Sequence, residues 1–385
     1  MASFPHPAVT RSADLAAWMA KKSHFLLGPR QTGKSHLIRQ ALPSARIYDL
    51  LDSSVYLSLS QNPSRLGEEL AANERLVVID EIQRLPDLLN EVHRLIESRG
   101  VRFLLTGSSA RRLRGGGVNL LGGRARTRHL HPLTRHELGK HFDLTRALGQ
   151  GLLPSIYFSD DPHADLAAYA GTYLQQEVIA EGATRNAPAF SRFLRVAALA
   201  NATLVNFTNI ASDAQVPRTT VYEYFEILKD TLILHEVPAW AASKKRKPIV
   251  SSKYYFFDGG VAAALQGRTA AAPQTAEHGH AFETYLLHEL KSHGAYGSGD
   301  PVSFWRSTSG YEVDFLLGDH TAIEVKAKTN VGPQDLRSLK AIAEEQTFKH
   351  LVCVSLEPRR RQVGDITILP YGQFLDRLWA GEYGD

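Results

Sequence analysis

"HFLLGPRQTGKSHLIRQAL", residues 24–42, decides the fold. An apolar strand, Phe25 to Leu27, runs into a glycine loop, and the loop into residues with helical spacing. The loop reads Gly28-x4-Gly33-Lys34-Ser35, a P-loop in the strand–loop–helix context that this pattern requires. Its glycines let the backbone curl so that N–H groups point at phosphate oxygens, and the helix N-terminus adds its positive end. The expected nucleotide-binding residues are Gly28, Pro29, Arg30, Gln31, Thr32, Gly33, Lys34, Ser35 and His36. Lys34 reaches the β- and γ-phosphates of ATP, and the Ser35 hydroxyl ligates Mg2+.

The next stretch, "RLVVIDEIQRLPDLL" (75–89), holds an unbroken apolar run that predicts a buried parallel strand ending at Asp80-Glu81. Ligands of open α/β sheets gather at the carboxyl ends of strands, so both carboxylates are expected to face the P-loop. Asp80 then holds Mg2+ through water, and Glu81 polarises the attacking water. A third strand, in "VRFLLTGSSARRL" (101–113), ends in Thr106-Gly107-Ser108-Ser109. Ser108 and Thr106 are candidates for sensing the γ-phosphate, with helix capping by Ser108 or Ser109 as the alternative. In "NLLGGRARTRHLHPLTRHEL" (119–138), Arg124 follows a Gly-Gly turn and is placed to project from the surface. His129, His131, His136 and His141 lack the spacing of a metal site.

With these motifs in hand, the chain resembles the bacterial and archaeal AAA+ ATPases that carry a C-terminal DUF4143 region. The resemblance rests on "LLGPRQTGKS", "VVIDEIQRLPDLL", "LLTGSSARRL", "LLGGRA" and "PLTRHEL", and continues through "KYYFFDGGVAAAL" (253–265), "EVDFLL" (312–317) and "IEVKA" (323–327). It implies that Gly28 to Ser35, Asp80 and Glu81 bind and hydrolyse Mg–ATP. It also implies that Arg124 is an arginine finger acting on a neighbouring subunit, with Arg126 and Arg128 close by.

Residues 164–200 are alanine-rich with helical spacing and predict a small bundle. In "NFTNIASDAQVPRTTVYEYFEILKD" (206–230), a short helix, a turn at Gln215-Val216-Pro217 and a second helix from Arg218 predict a helix-turn-helix. Val221, Tyr224, Phe225 and Leu228 form its buried face. With β-rich "LILHEV" and "KYYFFD" after it, the module reads as a winged helix. Arg218, Thr219, Tyr222 and Glu223 face outward as a DNA-reading surface, and Lys244, Lys245, Arg246 and Lys247 form a basic wing. Further basic clusters stand at Arg111, Arg112 and Arg114, at Arg124 to Arg128, and at Arg359 to Arg361. Glu223 and Glu226 leave a protein-binding reading open.

After a linker at 270–280, a helix, two strands, a helix and a strand predict an αβββαβ-like sheet. Period-two alternation sends Val313, Phe315 and Leu317 to one face and Asp314 to the other, and sets Glu324 beside Lys326. Glu283, Asp314 and Glu324-x-Lys326 resemble the PD-(D/E)XK nuclease superfamily. That resemblance implies a second Mg2+ or Mn2+ held by carboxylates, with Lys326 stabilising the nucleophile.

At 385 residues, 43% apolar and 22% charged, the chain has the composition of a globular protein with several cores. Its single cysteine, Cys353, excludes an internal disulfide and a cysteine-rich zinc site. A net charge of +4 is compatible with nucleic acid. The expected organisation is α/β throughout: a P-loop AAA+ ATPase domain (1–145), a helical and winged-helix domain (146–269) and a PD-(D/E)XK-like domain (270–385). The expected activity is ATP-driven processing of duplex or branched DNA by a homo-oligomer such as a hexameric ring, branch migration being one form. A metal-dependent nuclease licensed by ATP and a signalling ATPase that binds protein partners are the alternatives. No signal peptide or membrane segment is expected, so the cytoplasm is the expected location.

Overall fold

The computed structural model describes residues 9–109, 111, 121–174, 186–269, 272–297 and 299–384. Arg112 and Arg114, residues 175–185 of the alanine-rich stretch, and residues 270–271 of the linker lie outside the described residues. Packing divides the chain into two units, Thr10–Pro132 with Asp230–Ile233, and Leu133–Lys229 with Leu234–Asp385. Among the described residues no helix is long and apolar enough to cross a membrane.

The first unit is built on five parallel strands: β1 (Ser23–Leu27), β2 (Arg46–Asp49), β3 (Leu76–Asp80), β4 (Arg102–Gly107) and β5 (Ala125–His129), in the order β2-β3-β4-β1-β5. Every residue of β1 is buried, and Val77, Val78 and Ile79 of β3 are fully so, as expected of strands covered on both faces. Helix α1 (Lys34–Ala41) follows β1, and α2 (Leu88–Arg99) packs Leu88, Leu89, Val92 and Leu95 into the core below β3 and β4. Because β4 lies between β1 and β3, the carboxyl ends of all three strands meet at one edge. The mixed α/β architecture with a parallel N-terminal sheet therefore follows the sequence expectation.

In the second unit, α3 (Ala187–Leu199), α4 (Phe207–Ala214) and α5 (Arg218–Asp230) precede an antiparallel pair, β6 (Leu234–Val237) and β7 (Lys253–Phe256). Gln215 ends α4 in the left-handed region, φ 54°, and so makes the turn that the sequence places there. Val221, Tyr224, Phe225 and Leu228 are buried, while Arg218, Thr219, Tyr222 and Glu223 are exposed.

The long helix α6 (Ala276–Tyr296) then lies against a sheet of β8 (Val302–Arg306), β9 (Glu312–Leu317), β10 (Thr321–Lys326), β11 (His350–Ser355), β12 (Arg361–Val363) and β13 (Ile366–Pro370). Its order is β12-β13-β11-β10-β9-β8. Helix α7 (Arg337–Ala343) crosses between β10 and β11, which are parallel, and α8 (Tyr371–Trp379) closes the chain. Three strands, not two, separate α6 from α7. The connection from β6 to β7 runs alongside β8: Trp240 N–H donates to Phe304 O (2.7 Å) and Ile249 N–H to Arg306 O (2.8 Å).

One alternation differs from expectation. Ser303 pairs with Leu316 but Trp305 with Val313, so Asp314 and Phe315 together stand opposite Phe304. This bulge leaves Val313 and Leu316 in the core under α7, and Phe315 and Leu317 in the core under α6. Val313 and Phe315 therefore do not share a face. On β10 the expected alternation holds, with Ile323 and Val325 packed on the α6 side.

Glu289 fixes the position of α6. Its buried carboxyl accepts the N–H of Arg135 (2.7 Å) and the indole N–H of Trp379 (3.2 Å). Burial raises its pKa from the ordinary 4.5 to about 7. The folded chain thus keeps a proton that the unfolded chain releases, and this group's contribution is full below about pH 4.5 and lost as pH rises through about 7. Urea denaturation of Glu289→Gln across this range is expected to lose a pH-dependent decline on the order of 3 kcal/mol. An unchanged slope would remove Glu289 from that role.

Candidate functional site

At the carboxyl end of β1 the chain turns through Gly28, buried beneath the exit of β5. A Cβ at residue 28 would collide with the carbonyl of Leu130, whose N–H bonds Leu27 O at 2.8 Å, so only glycine passes. Gly33, at φ 91°, turns the chain into α1 and, as its N-cap, brings no side-chain cap. Lys34 is buried and lies back over the loop, its ammonium donating to Gly28 O (2.6 Å) and Pro29 O (3.1 Å). Thr32 Oγ1 donates to Pro29 O (2.8 Å), whereas Gln31 and His36 face solvent. Ser35 Oγ donates to Asp80 Oδ2 at 2.9 Å across the β1–β3 gap. A hydroxyl and a carboxylate oxygen meeting here are the hard oxygen donors that suit Mg2+.

Thr106, at the end of the intervening β4, donates to the other oxygen of Asp80. Glu81 is buried in the left-handed region, φ 61°, a strained geometry for a non-glycine residue. The side-chain amide of Gln83 donates both to Glu81 and to Ser108 Oγ (3.0 Å). Ser108 therefore joins Glu81 through Gln83, while Ser109 Oγ accepts the N–H of Arg111 (3.1 Å). The sequence reading passed over Gln83, although it stands two residues beyond Glu81. It also passed over Arg11, whose guanidinium donates to Thr32 O (2.7 Å) and His131 O (2.6 Å) and ties the loop to the segment after β5.

Arg124 stands apart from these residues. It precedes β5 at the end where Ala125 pairs with Ser23, whereas the P-loop leaves β1 after Leu27, which pairs with His129. Four strand residues, roughly 13 Å, separate the two ends. Arg124 pairs with Glu97 on α2.

In the second unit, Glu283, Asp314 and Lys326 line one cavity of about 630 Å3. Glu324 is buried and ion-paired with Lys326, and its Oε2 has no hydrogen-bond partner among the described residues. Asp314 Oδ2 accepts the N–H of Val325 (2.8 Å). Burial and the neighbouring Glu283 push Asp314 up to about 6, and burial with Asp314 raises Glu324 well above the carboxylate range.

A residue that the sequence reading left out of this cluster sits at its centre. Lys253, from β7, is 2% exposed, and its ammonium lies 3.1 Å from Glu283 Oε1 and 4.0 Å from Asp314 Oδ1 and is paired with Glu312. Tyr255, two residues on, donates to the same Glu283 oxygen at 2.6 Å. Burial opposes the charge of Lys253, but Glu283, Asp314 and Glu312 outweigh it and raise its pKa above the ordinary value. Among the described residues no group of three or more His, Cys, Asp or Glu side chains is arranged to hold a metal ion. Of the residues expected to hold a second metal, Glu283 and Asp314 lie against Lys253 and Glu324 lies against Lys326.

The basic segment also differs from a projecting wing. Glu345 accepts the backbone N–H groups of Lys244 (2.7 Å) and Lys245 (2.6 Å), and Arg246 pairs with Glu344 (2.7 Å) and Glu345 (2.9 Å). Arg246 is therefore committed internally, while Lys244, Lys245 and Lys247 remain exposed. On α5, Arg218 donates to Tyr222 Oη (2.8 Å), and Tyr222 stacks on Phe207 with ring centroids 4.2 Å apart.

Residues 20–139 match the AAA domain family, 141–272 a domain of unknown function (DUF8612) and 278–374 a domain of unknown function (DUF4143). The chain thus carries an AAA domain at its N-terminus and a DUF4143 region at its C-terminus. It is similar to uncharacterized proteins of Mycobacterium tuberculosis and Mycobacterium bovis, each 28% identical over 94% of this chain and 84% of the relative. Among solved structures, a Signal Transduction ATPase with Numerous Domains protein from Pyrococcus horikoshii is 15% identical, with 75% of this chain and 46% of that chain covered and a TM-score of 0.24. Can2 from Sulfobacillus thermosulfidooxidans, in complex with cyclic tetra-adenylate, is 10% identical, with 92% and 98% covered and a TM-score of 0.22. The AAA domain supports ATP binding, with Mg2+, and ATPase activity.

Two substitutions separate the functions of the loop and of the carboxylate. Lys34→Ala is expected to lose ATP turnover. Glu81→Gln is expected to keep nucleotide affinity while turnover falls about 100-fold or more. Phosphate release and equilibrium binding of a fluorescent ATP analogue measure the two effects, and normal turnover in either variant would overturn its assignment.

Proposed function

We propose that this chain is an ATP-hydrolysing AAA+ protein that binds and remodels duplex or branched DNA as a homo-oligomer, branch migration being one form. The observation that carries the reading is the Ser35–Asp80 hydrogen bond of 2.9 Å, with Thr106 and the Glu81–Gln83–Ser108 chain beside it. A triphosphate offers Lys34 stronger acceptors than the carbonyls of Gly28 and Pro29, so the ammonium turns to the β- and γ-phosphate oxygens. The N-terminus of α1, which begins at Lys34 after Gly33, directs backbone N–H groups and its positive end toward the same anion. Ser35 and Asp80 would hold Mg2+, which would supply charge neutralisation at the phosphates. Glu81 orients water for attack, and Gln83 couples its position to Ser108, the γ-phosphate sensor.

The oligomer rests on Arg124. It stands at the far end of the sheet from its own P-loop, so as an arginine finger it acts on the nucleotide of a neighbouring copy, exchanging Glu97 for phosphate.

The order α4–turn–α5–β6–β7 supports a winged helix, with Arg218, Thr219 and Tyr222 exposed along α5 and Lys244, Lys245 and Lys247 exposed beyond β6. Helix α6, strands β8–β10, helix α7 and β11 follow the αβββαβ order of PD-(D/E)XK proteins, which supports a nuclease-like fold for the C-terminal part. One observation favours a protein-binding signalling ATPase instead: exposed Glu223 and Glu226 share α5 with the proposed reading residues.

ATP turnover and strand fate on single-stranded, duplex, forked and four-way DNAs distinguish these readings. DNA is expected to stimulate turnover, and affinity to fall steeply with salt. Replacing Lys244, Lys245 and Lys247 by Ala should lower the log–log salt slope by about 3, near 0.9 per lost phosphate contact. Turnover indifferent to every DNA, with no binding, would leave the signalling reading in its place.

A further inference from the structure

We infer that Lys253 is the resident cation of the C-terminal carboxylate site, and that the site therefore works without a divalent metal and does not cut phosphodiesters. The inference rests on the nuclease-like reading of α6 and β8–β11, and it revises the chemistry expected of that fold.

The geometry is that of a cation site filled from within. The Lys253 ammonium has three N–H donors and meets three carboxylates, those of Glu283, Glu312 and Asp314. These come from α6 and from Glu312 and Asp314, two residues apart on β9 and therefore on the same side of the strand. Lys253 also lies over the Phe304 ring, 5.5 Å from its centroid, and is 2% exposed, so water does not compete for it. Its position is fixed from behind by the pairing of β7 with β6 and by a bridge to Leu204. Glu312 is held on its other oxygen by Arg306 (2.9 Å). A divalent ion entering here would have to expel a buried ammonium or share its ligands, and like charges in so dry a space repel strongly.

The two kinds of cation do different chemistry. An ammonium ion neutralises carboxylates and donates hydrogen bonds, but it has no open coordination position and cannot lower the pKa of a bound water as a metal does. Lys326 is likewise committed to Glu324, so both lysines neutralise carboxylates and neither makes hydroxide as a metal does. Glu324 Oε2, without a hydrogen-bond partner among the described residues, favours a metal, and it makes the test two-sided.

Mn2+ binding to the nucleotide-free full chain, followed by electron paramagnetic resonance in an Asp80→Asn background, decides the matter. That background removes the metal position beside the P-loop. With Lys253 intact, no bound Mn2+ is expected at millimolar concentration. Lys253→Met should gain one Mn2+ per chain, together with a Mn2+-dependent rise in Tm, and lose both when Asp314→Asn is added. Mn2+ bound in the presence of Lys253 and lost with Asp314→Asn would overturn the inference, and this arm needs no lysine variant to fold. A folded Lys253→Met that gains neither ion nor stabilisation would overturn it as well. DNA binding by the Lys253-intact protein reports separately on the proposed function, so failure of one reading does not masquerade as failure of the other.

Discussion

A buried ammonium is costly without carboxylates beside it, and carboxylates crowded together at a site largely closed to water repel one another without a cation. The arrangement of the second unit depends on that mutual requirement. Lys253 belongs to β7, Glu283 to α6, and Glu312 and Asp314 to β9. Satisfying all four charges joins the helix-turn-helix segment to the C-terminal sheet at one point. Tyr255 and Asn201 reinforce the join, the first through Glu283 and the second through Thr284 (2.8 Å) and the N–H of Phe256 (2.8 Å). Removing the lysine would strand like charges, while removing one carboxylate would weaken the lysine's reason to be buried.

The first unit obeys a different constraint, strand order. Inserting β4 between β1 and β3 brings Thr106 between the glycine loop after β1 and the strand that carries Asp80. Hydrogen bonds then run from Ser35 to Asp80 to Thr106, and from Glu81 through Gln83 to Ser108. Side chains of Ser35, Asp80, Thr106, Gln83 and Ser108 thus tie the segments at the carboxyl ends of β1, β3 and β4. The αL backbone of Glu81 is part of this geometry, since it turns the chain sharply after Asp80 and aims Gln83 back under the strand ends.

What could be read from the sequence follows the reach of each signal. The P-loop, the apolar run before Asp80 and the helix from Arg218 are local patterns, and their residues lie where the patterns place them. Gln83 and Arg11 act through contacts that no periodicity records; Arg11 stands 120 residues from His131. Lys253 sits in "KYYFFD", a stretch legible as a strand, but nothing in that strand says which carboxylates surround its first residue. Asp314 was legible as an odd charge in an apolar run, whereas the bulge that sets its direction is a register shift against β8, visible only in the pairing. Arg246 looked like one more positive charge of a basic run, and its partners Glu344 and Glu345 lie nearly a hundred residues away.

The connection that runs beside β8 has a consequence for the protein's solubility. An outer strand with unpaired N–H and C=O groups is a template for another chain to add to, and β8, rich in Phe and Trp, would be a dangerous one. Backbone bonds from Trp240 and Ile249 satisfy the carbonyls of Phe304 and Arg306, and Pro238 O accepts the N–H of Phe304. At the opposite border the sheet ends in β12, three residues long and opening with Arg361, too short and too charged to recruit a partner strand. The segment that carries Lys244, Lys245 and Lys247 therefore guards an edge, and shortening it would leave β8 open to pairing with another chain.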